Sequence, residues 1–416
     1  MSEFPSQLSA QIRDRFCHVD QDPILGDRIY FENAGGSLTL KSVVETASFF
    51  DALPDNAGRS NASSQRVGRA IEDGRRALAT FLNATDGVIA SRESATAMVF
   101  ALLEAATAEA DSGNVVCSNL DHAATYDAAA YVCETRGLKR RVAELDRGSG
   151  IVPVSAVLEQ IDEQTVAVAM VHASNVTGGV NDLAAIAAAV RERAPSAIII
   201  ADGTQFVQHG GADVDRYHVD GYVFAAYKAF SKLGGGFAYV SPRLASRRHP
   251  RLTGNPQTAW DLGTRDAGNY AAFRQVVEYL SWLGRQAAPD LETDNERACL
   301  EAGMSAIIAH ETELGQHLLT GLAELPGVHV VGDVPPGPQR QPVFALALDT
   351  LDTAAVVREL AERGIIIHER RHDAYTGHVL AALGVQRVLR VALAHYNTRS
   401  EVDRFLAAMA DIVGNG

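Results

Sequence analysis

The sequence predicts an α/β protein in which a mostly parallel sheet is covered by helices and followed by a smaller α+β unit. Apolar runs such as "NVVCSN" (114–119), "TVAVAMV" (165–171) and "AIIIAD" (197–202) are nearly continuous, as strands buried on both faces are. Segments of helical period separate them: "QRVGRAIEDGRRALATFLN" (65–83), "YDAAAYVCETRG" (126–137) and "DLAAIAAAVRERA" (182–194). After "WDLGTRDAGNYAAF" (260–273) the order changes. A long helical region at about 270–325 leads to strand signals "VHVVGD" and "PVFALALDT", a helix "TAAVVRELAERG", strands "GIIIHE" and "VLRVALAHY", and a closing helix "SEVDRFLAAMADIV". The Pro-rich "DVPPGPQRQP" (333–342) reads as a loop inside that unit.

Composition narrows the function classes. At 416 residues and 47% hydrophobic, the chain can fill a sizeable core. A formal charge of −14 argues against a nucleic-acid partner, because phosphate binding needs a basic surface. No run of eighteen apolar residues predicts a membrane span, and "MSEFPSQLSAQIRDRF" lacks the apolar centre of a signal peptide, so a cytoplasmic location is expected. The four cysteines, Cys17, Cys117, Cys133 and Cys299, form no CxxC pair and read as buried thiols.

Polar residues at predicted strand ends are the candidates for chemistry, since ligands of an open α/β sheet gather beyond the strand C-termini. "GYVFAAYKAFSKLGGGFAYV" (221–240) interrupts an apolar strand with Lys228. Such an amine is either a solvated lysine or one whose pKa is lowered by burial. Asp202 ends "AIIIAD" and Asn175 ends "MVHASN". A carboxylate there is either a cap or turn residue or a functional acid. A buried amine, a buried carboxylate and a ring such as His122 together suit a cofactor with a basic ring nitrogen and an aldehyde.

The ordered segments "YFENAGGS" (30–37), "SRESAT" (91–96), "LDHAATY" (120–126), "HASNVTG" (172–178), "ADGTQ" (201–205), "AAYK" (225–228), "DLGT" (261–264) and "LRVALAHYNTRSEVD" (389–403) resemble the class V aminotransferase fold, and within it the cysteine-desulfurase-like branch. The resemblance implies a pyridoxal 5′-phosphate enzyme of fold type I. Its large domain, 31–275, would hold a mostly parallel sheet of the seven-stranded type, and residues 1–30 and 276–416 would form the small α+β domain. It assigns Lys228 to the Schiff base, Asp202 to the pyridinium nitrogen and His122 to the ring face. Asn175 and Gln205 would lie near the phenolic oxygen, and Ala95 and Thr96 at a helix start would take the phosphate. Thr264 would complete that site from a neighbouring subunit, so a homodimer is implied. Arg390 and Asn33 fall to the substrate, an arginine fork being suited to an α-carboxylate.

Two departures from the resemblance bear on function. Ala225 and Tyr227 stand where the family has a phosphate-binding Ser and a His, and Tyr227 could act as an acid near the imine. "IIIHERRHDAYTGHVLAALG" (365–384) lacks the cysteine on which a desulfurase forms its persulfide. His372 and Tyr375 are the catalytic candidates there. The expected activity on a small amino-acid substrate is chemistry at Cβ through a carbanion, by β-elimination or C–S lysis or by decarboxylation of an aspartate-like side chain with aldol addition. Epimerisation of the isopenicillin N epimerase type, transamination and a non-catalytic scaffold are the alternatives. "HERRH" (368–372) also matches the HExxH zinc-protease pattern, which requires a helix with His368 and His372 one turn apart.

Overall fold

The apolar runs read from the sequence assemble into one seven-stranded sheet in the computed structural model, which describes residues 3–53, 55–264, 266–291 and 293–415. Its strands are β1 (Val88–Arg92), β2 (Asn114–Ser118), β3 (Lys139–Ala143), β4 (Thr165–Val171), β5 (Ile198–Asp202), β6 (Gly221–Ala225) and β7 (Gly236–Val240). They lie in the order β1-β7-β6-β5-β4-β2-β3. Only β7 runs against its neighbours β1 and β6; the remaining pairs are parallel. Every residue of β2, β5, β6 and β7 is buried, which is why these segments are continuously apolar. The edge strand β3 instead exposes Lys139 and Arg140, charges that discourage pairing with another chain. That polar edge carries no strand signal, and the sequence reading passed over it.

Helices cover the sheet. After an N-terminal helix at Ser6–Asp14 come α1 (Lys41–Asp51) and α2 (Ala62–Leu82), the latter capped by the Asn61 side chain and stopped by Asn83 in the left-handed conformation. Then come α3 (Ala95–Ala106), α4 (Ala123–Arg136) and α5 (Leu183–Arg193). The long helical region resolves into α6 (Ala267–Ala287) and α7 (Glu296–Leu322). The expected domain limit at 275–276 falls inside α6, which packs against α1 and α2 as well as α7. The described helices include none long and apolar enough to cross a membrane.

The second sheet holds β8 (Val328–Val331), β9 (Val343–Leu348), β10 (His368–Arg371) and β11 (Arg387–Ala392), in the antiparallel order β8-β9-β11-β10. It packs with α7, α8 (Thr353–Glu362) and α10 (Arg399–Asn415) around Leu314, Phe344, Leu389 and Phe405. A short helix, α9 (Gly377–Leu383), lies between β10 and β11. The N-terminal segment joins this unit, because Ile29–Tyr30 pairs parallel with Ile365–Ile366. The zinc-protease alternative is corrected here. The motif begins as β10, so His368 and His372 are not one helical turn apart, and the described residues contain no group suited to a metal.

One contact sets the geometry where the sheet meets α3. A Cβ on Gly236 would lie 2.2 Å from the Ser94 carbonyl carbon and 2.3 Å from the Ala95 nitrogen, so only glycine lets β7 pass beneath the helix start. Gly236→Ala is expected to lower stability by about 1–3 kcal/mol. Urea unfolding measures it, and an unchanged midpoint would mean that the helix start yields without cost.

Candidate active site

Parallel strands β4, β5 and β6 end together, with Val171 opposite Asp202 and Asp202 opposite Val223. The last residue of β5 therefore presents its carboxylate at the common C-terminal edge. Asp202 is 5% exposed. Its Oδ1 accepts the Thr204 amide at 3.0 Å and its Oδ2 accepts the Thr125 hydroxyl at 3.2 Å. Beyond β6 the chain makes a single tight turn, Ala226–Lys228, which carries Lys228 under the same edge. The Lys228 amine donates to Gln205 Oε1 at 3.2 Å and is 6% exposed. Burial, reinforced by the Arg390 charge, pulls its pKa down to about 7, against the opposing pull of Asp202 and Glu32.

His122 caps α4, its Nδ1 accepting the Ala124 amide at 3.1 Å. Burial lowers its pKa to about 4, with Asp202 opposing, so the ring is neutral near pH 7. The helix start is held from behind by Asp121, which accepts the amides of Ser118 at 2.6 Å and Val171 at 2.8 Å and thereby ties the ends of β2 and β4 together. Burial raises the Asp121 pKa to about 7. From the small unit, His378 on α9 donates to the Asp121 carbonyl at 2.7 Å and stacks on Tyr126 with centroids 4.2 Å apart.

These groups enclose a cavity of about 140 Å³ lined by His122, Asn175, Asp202, Gln205, Tyr227 and Lys228, with Ala225 in its wall. Ser94, Ala95 and Thr96 close one end. Ser94 caps α3 by accepting the Ala97 amide, and the preceding amides of Ala95 and Thr96 have no carbonyl within the helix to bind. Thr204, which the sequence reading did not single out, adds a hydroxyl to the wall. Its Oγ1 and the Gln205 Nε2 are buried and find no hydrogen-bond partner among the described residues.

Arg390 is 2% exposed and projects from β11 beside this cavity. One nitrogen donates to the Asn175 carbonyl at 3.0 Å, another is paired with Glu32, and its Nε is buried without a partner. Glu32 was also missed from sequence, where nothing links two residues so far apart in the chain. Its neighbour Asn33 is hydrogen-bonded within the chain: its amide donates to the carbonyls of Ala392 and Tyr30 and to Asn397, and its oxygen accepts the Tyr396 hydroxyl. Those bonds consume the side chain in joining the N-terminal segment to the small unit.

The loop after β10 divides its candidates. The Tyr375 ring lies 6.3 Å from that of His122, while exposed His372 turns away toward the Val385 carbonyl at 3.3 Å. Thr264 is exposed and lines a separate surface hollow with Ser91, Asn269 and Gly235.

The profile of the family described as aminotransferase class-V matches residues 29–405. The chain belongs to that family. This class V member is a pyridoxal 5′-phosphate-dependent enzyme with the type I fold, and its family acts on small amino-acid substrates. Cysteine desulfurases of Salmonella agona and Salmonella typhimurium are each 27% identical to it over 315 residues, which is 72% of this chain and 71% of theirs. Among solved structures, a cysteine desulfurase of Thermococcus onnurineus superposes with TM-score 0.84 at 20% identity, covering 100% of both chains. The Escherichia coli cysteine desulfurase CsdA superposes with TM-score 0.79 at 23% identity, covering 97% of this chain and 99% of its own. The cavity of the class V enzyme suits the cofactor. A neutral flat ring, a buried carboxylate, two buried unpartnered donors and a helix start meet a pyridinium ring bearing an oxyanion and a phosphate.

Competitive labelling of the cofactor-free enzyme with a trace acylating reagent should give Lys228 a titration midpoint near pH 7, far below an ordinary lysine. Between there and pH 10.5 the unfolded chain binds a proton that the folded chain does not, so this group's contribution to stability rises with pH across that window. Mass spectrometry of the Lys228 peptide reads the midpoint, and a value near 10 would refute the burial argument.

Proposed function

We propose that the enzyme breaks or makes a bond at the substrate's Cβ, with Lys228 as the amine that carries the cofactor and then moves the proton at the substrate's Cα. The observation that carries this reading is the desolvated Lys228 amine in one cavity with Asp202 and Gln205. When bound, the cofactor supplies a conjugated ring that accepts the electron pair released at Cα. Asp202, in hydrogen bonds from Thr125 and Thr204, would hold the ring nitrogen and keep it protonated. Neutral His122 would hold the ring without adding a charge. Gln205 and Asn175 would hold the phenolic oxygen.

The amides of Ala95 and Thr96 would hold the phosphate, since the helix dipole there favours an anion. A second copy of the chain in a homodimer brings Thr264 to that end, offsetting the hydroxyl missing at Ala225. Arg390 takes the substrate's α-carboxylate, which displaces Glu32 from the guanidinium. Tyr227 lines the cavity with Lys228 and supplies a phenol, which burial keeps protonated by raising its pKa, while exposed Tyr375 supplies a second phenol from the His122 side.

Persulfide chemistry is disfavoured by the absence of cysteine from residues 365–384. Cys117, Cys133 and Cys299 are buried and Cys17 is partly so, all of them outside the cavity lining. Burial raises the pKa of Cys17, Cys117 and Cys133, so these thiols are not poised as nucleophiles.

Incubation with a panel of amino acids in deuterated buffer tests the reaction. Release of pyruvate, alanine or sulfide is expected, and Lys228→Ala should reduce it by about 10²–10⁴-fold or more. Deuterium confined to Cα with racemisation would instead make the enzyme an epimerase and overturn the reading.

A further inference from the structure

The register of the small sheet places a second arginine on the face that carries Arg390. In the β10–β11 pair, His368 lies opposite Arg390 and Arg370 lies opposite Val388. Residues two apart on a strand share a face, as do directly paired residues, so His368, Arg370, Val388 and Arg390 all project from the face that bears the Arg390 contacts to Asn175 and Glu32. Glu369 and Arg371 project from the other face, where Glu369 accepts the Thr353 hydroxyl and pairs with Arg387. Arg370 is therefore the diagonal neighbour of Arg390, about 7 Å away between Cβ atoms.

Unlike Arg390, Arg370 has no carboxylate partner among the described residues. Its Nε is buried without a hydrogen-bond partner, and no carboxylate of the described residues lies within ion-pair distance of it. Its charge nevertheless bears on both Lys228 and His122, depressing each, in keeping with its place on the strand face shared with Arg390. Asp373 is the acid that acts on it most, without touching it. Two guanidinium groups on adjacent positions of one half-buried face repel each other, and burial lowers the Arg370 pKa with Arg390 as the next cause. An anion bridging the face relieves both penalties. Arg390 already has a claim on an α-carboxylate, and one guanidinium fork holds one carboxylate.

We infer that Arg370 binds an anionic group on the substrate's side chain, making the substrate an acidic amino acid whose carboxylate or sulfinate lies one or two carbons from Cα. This inference deepens the reading of the Lys228 cavity and rests on it. Arg370 acts here as a specificity residue; the proton transfers at Cα stay with Lys228.

The test titrates holoenzyme with L-aspartate, L-glutamate and L-cysteine sulfinate against the neutral L-asparagine, L-alanine and L-cysteine, reading binding by the cofactor's visible absorbance and by calorimetry. At least one acidic member should bind tenfold or more tightly than its neutral counterpart. Which anion binds best distinguishes carboxylate from sulfinate and reports the chain length. Arg370→Gln should erase that preference by weakening the acidic ligand at least tenfold, while L-alanine affinity and cofactor content stay unchanged. Arg370→Lys should restore part of it. Equal binding of L-asparagine and L-aspartate, or an equal loss for acidic and neutral ligands in Arg370→Gln, would overturn the inference and leave the cofactor reading intact. Protein that acquires no Lys228-dependent absorbance would overturn both.

Discussion

The removal of one amine from water is the constraint on which the site depends. Taking Lys228 out of solvent disfavours its ammonium, and the structure accepts that penalty because a Gln205 oxygen and the nearby Asp202 and Glu32 charges offset only part of it. An amine so held is available as a base or nucleophile at neutral pH, which an exposed lysine is not. The penalty is sustained by the sheet. β5 and β6 are buried along their whole length, and their parallel register forces Asp202 and Lys228 to the same edge.

The second unit supplies what the sheet does not. Parallel strands deliver the acid, the amine and the ring, all from residues 88–240, whereas the cations beside the cavity come from β10 and β11 of the small sheet. The two are held together by bonds that ignore chain distance. Arg390 reaches the Asn175 carbonyl, and His378 reaches the Asp121 carbonyl. The cavity is lined by the large unit alone, and the small unit adds charge from beside it, so the split of roles follows from which unit each strand belongs to.

Reading the sequence recovered the sheet's buried strands because their apolar runs are periodicity-free and bounded by polar ends, the same pattern that exposed Asp202 and Lys228. The acidic Glu32 stayed hidden beside Asn33, since two polar residues in "FENAGG" look alike until the fold decides which one faces Arg390. Arg370 carries no signal of its own inside "HERRH". Its place on the face shared with Arg390 depends on pairing with β11, a long-range register that no local pattern encodes. His372 and Tyr375 are three residues apart in one loop, yet its turn, built on Asp373 accepting the amides of Tyr375 and Thr376, sends one toward His122 and the other away.

The stack of His378 on Tyr126 has an evolutionary corollary. Residues 372–376 span a gap between a strand paired along its length and a helix pinned to the large unit, so both ends of that stretch are anchored independently of its content. Its composition and length can drift, exchanging a thiol for a phenol or altering the reach of a cation, without disturbing the cradle beneath. Descendants of one ancestral scaffold could diverge in what they accept while inheriting, unaltered, the means of activating it.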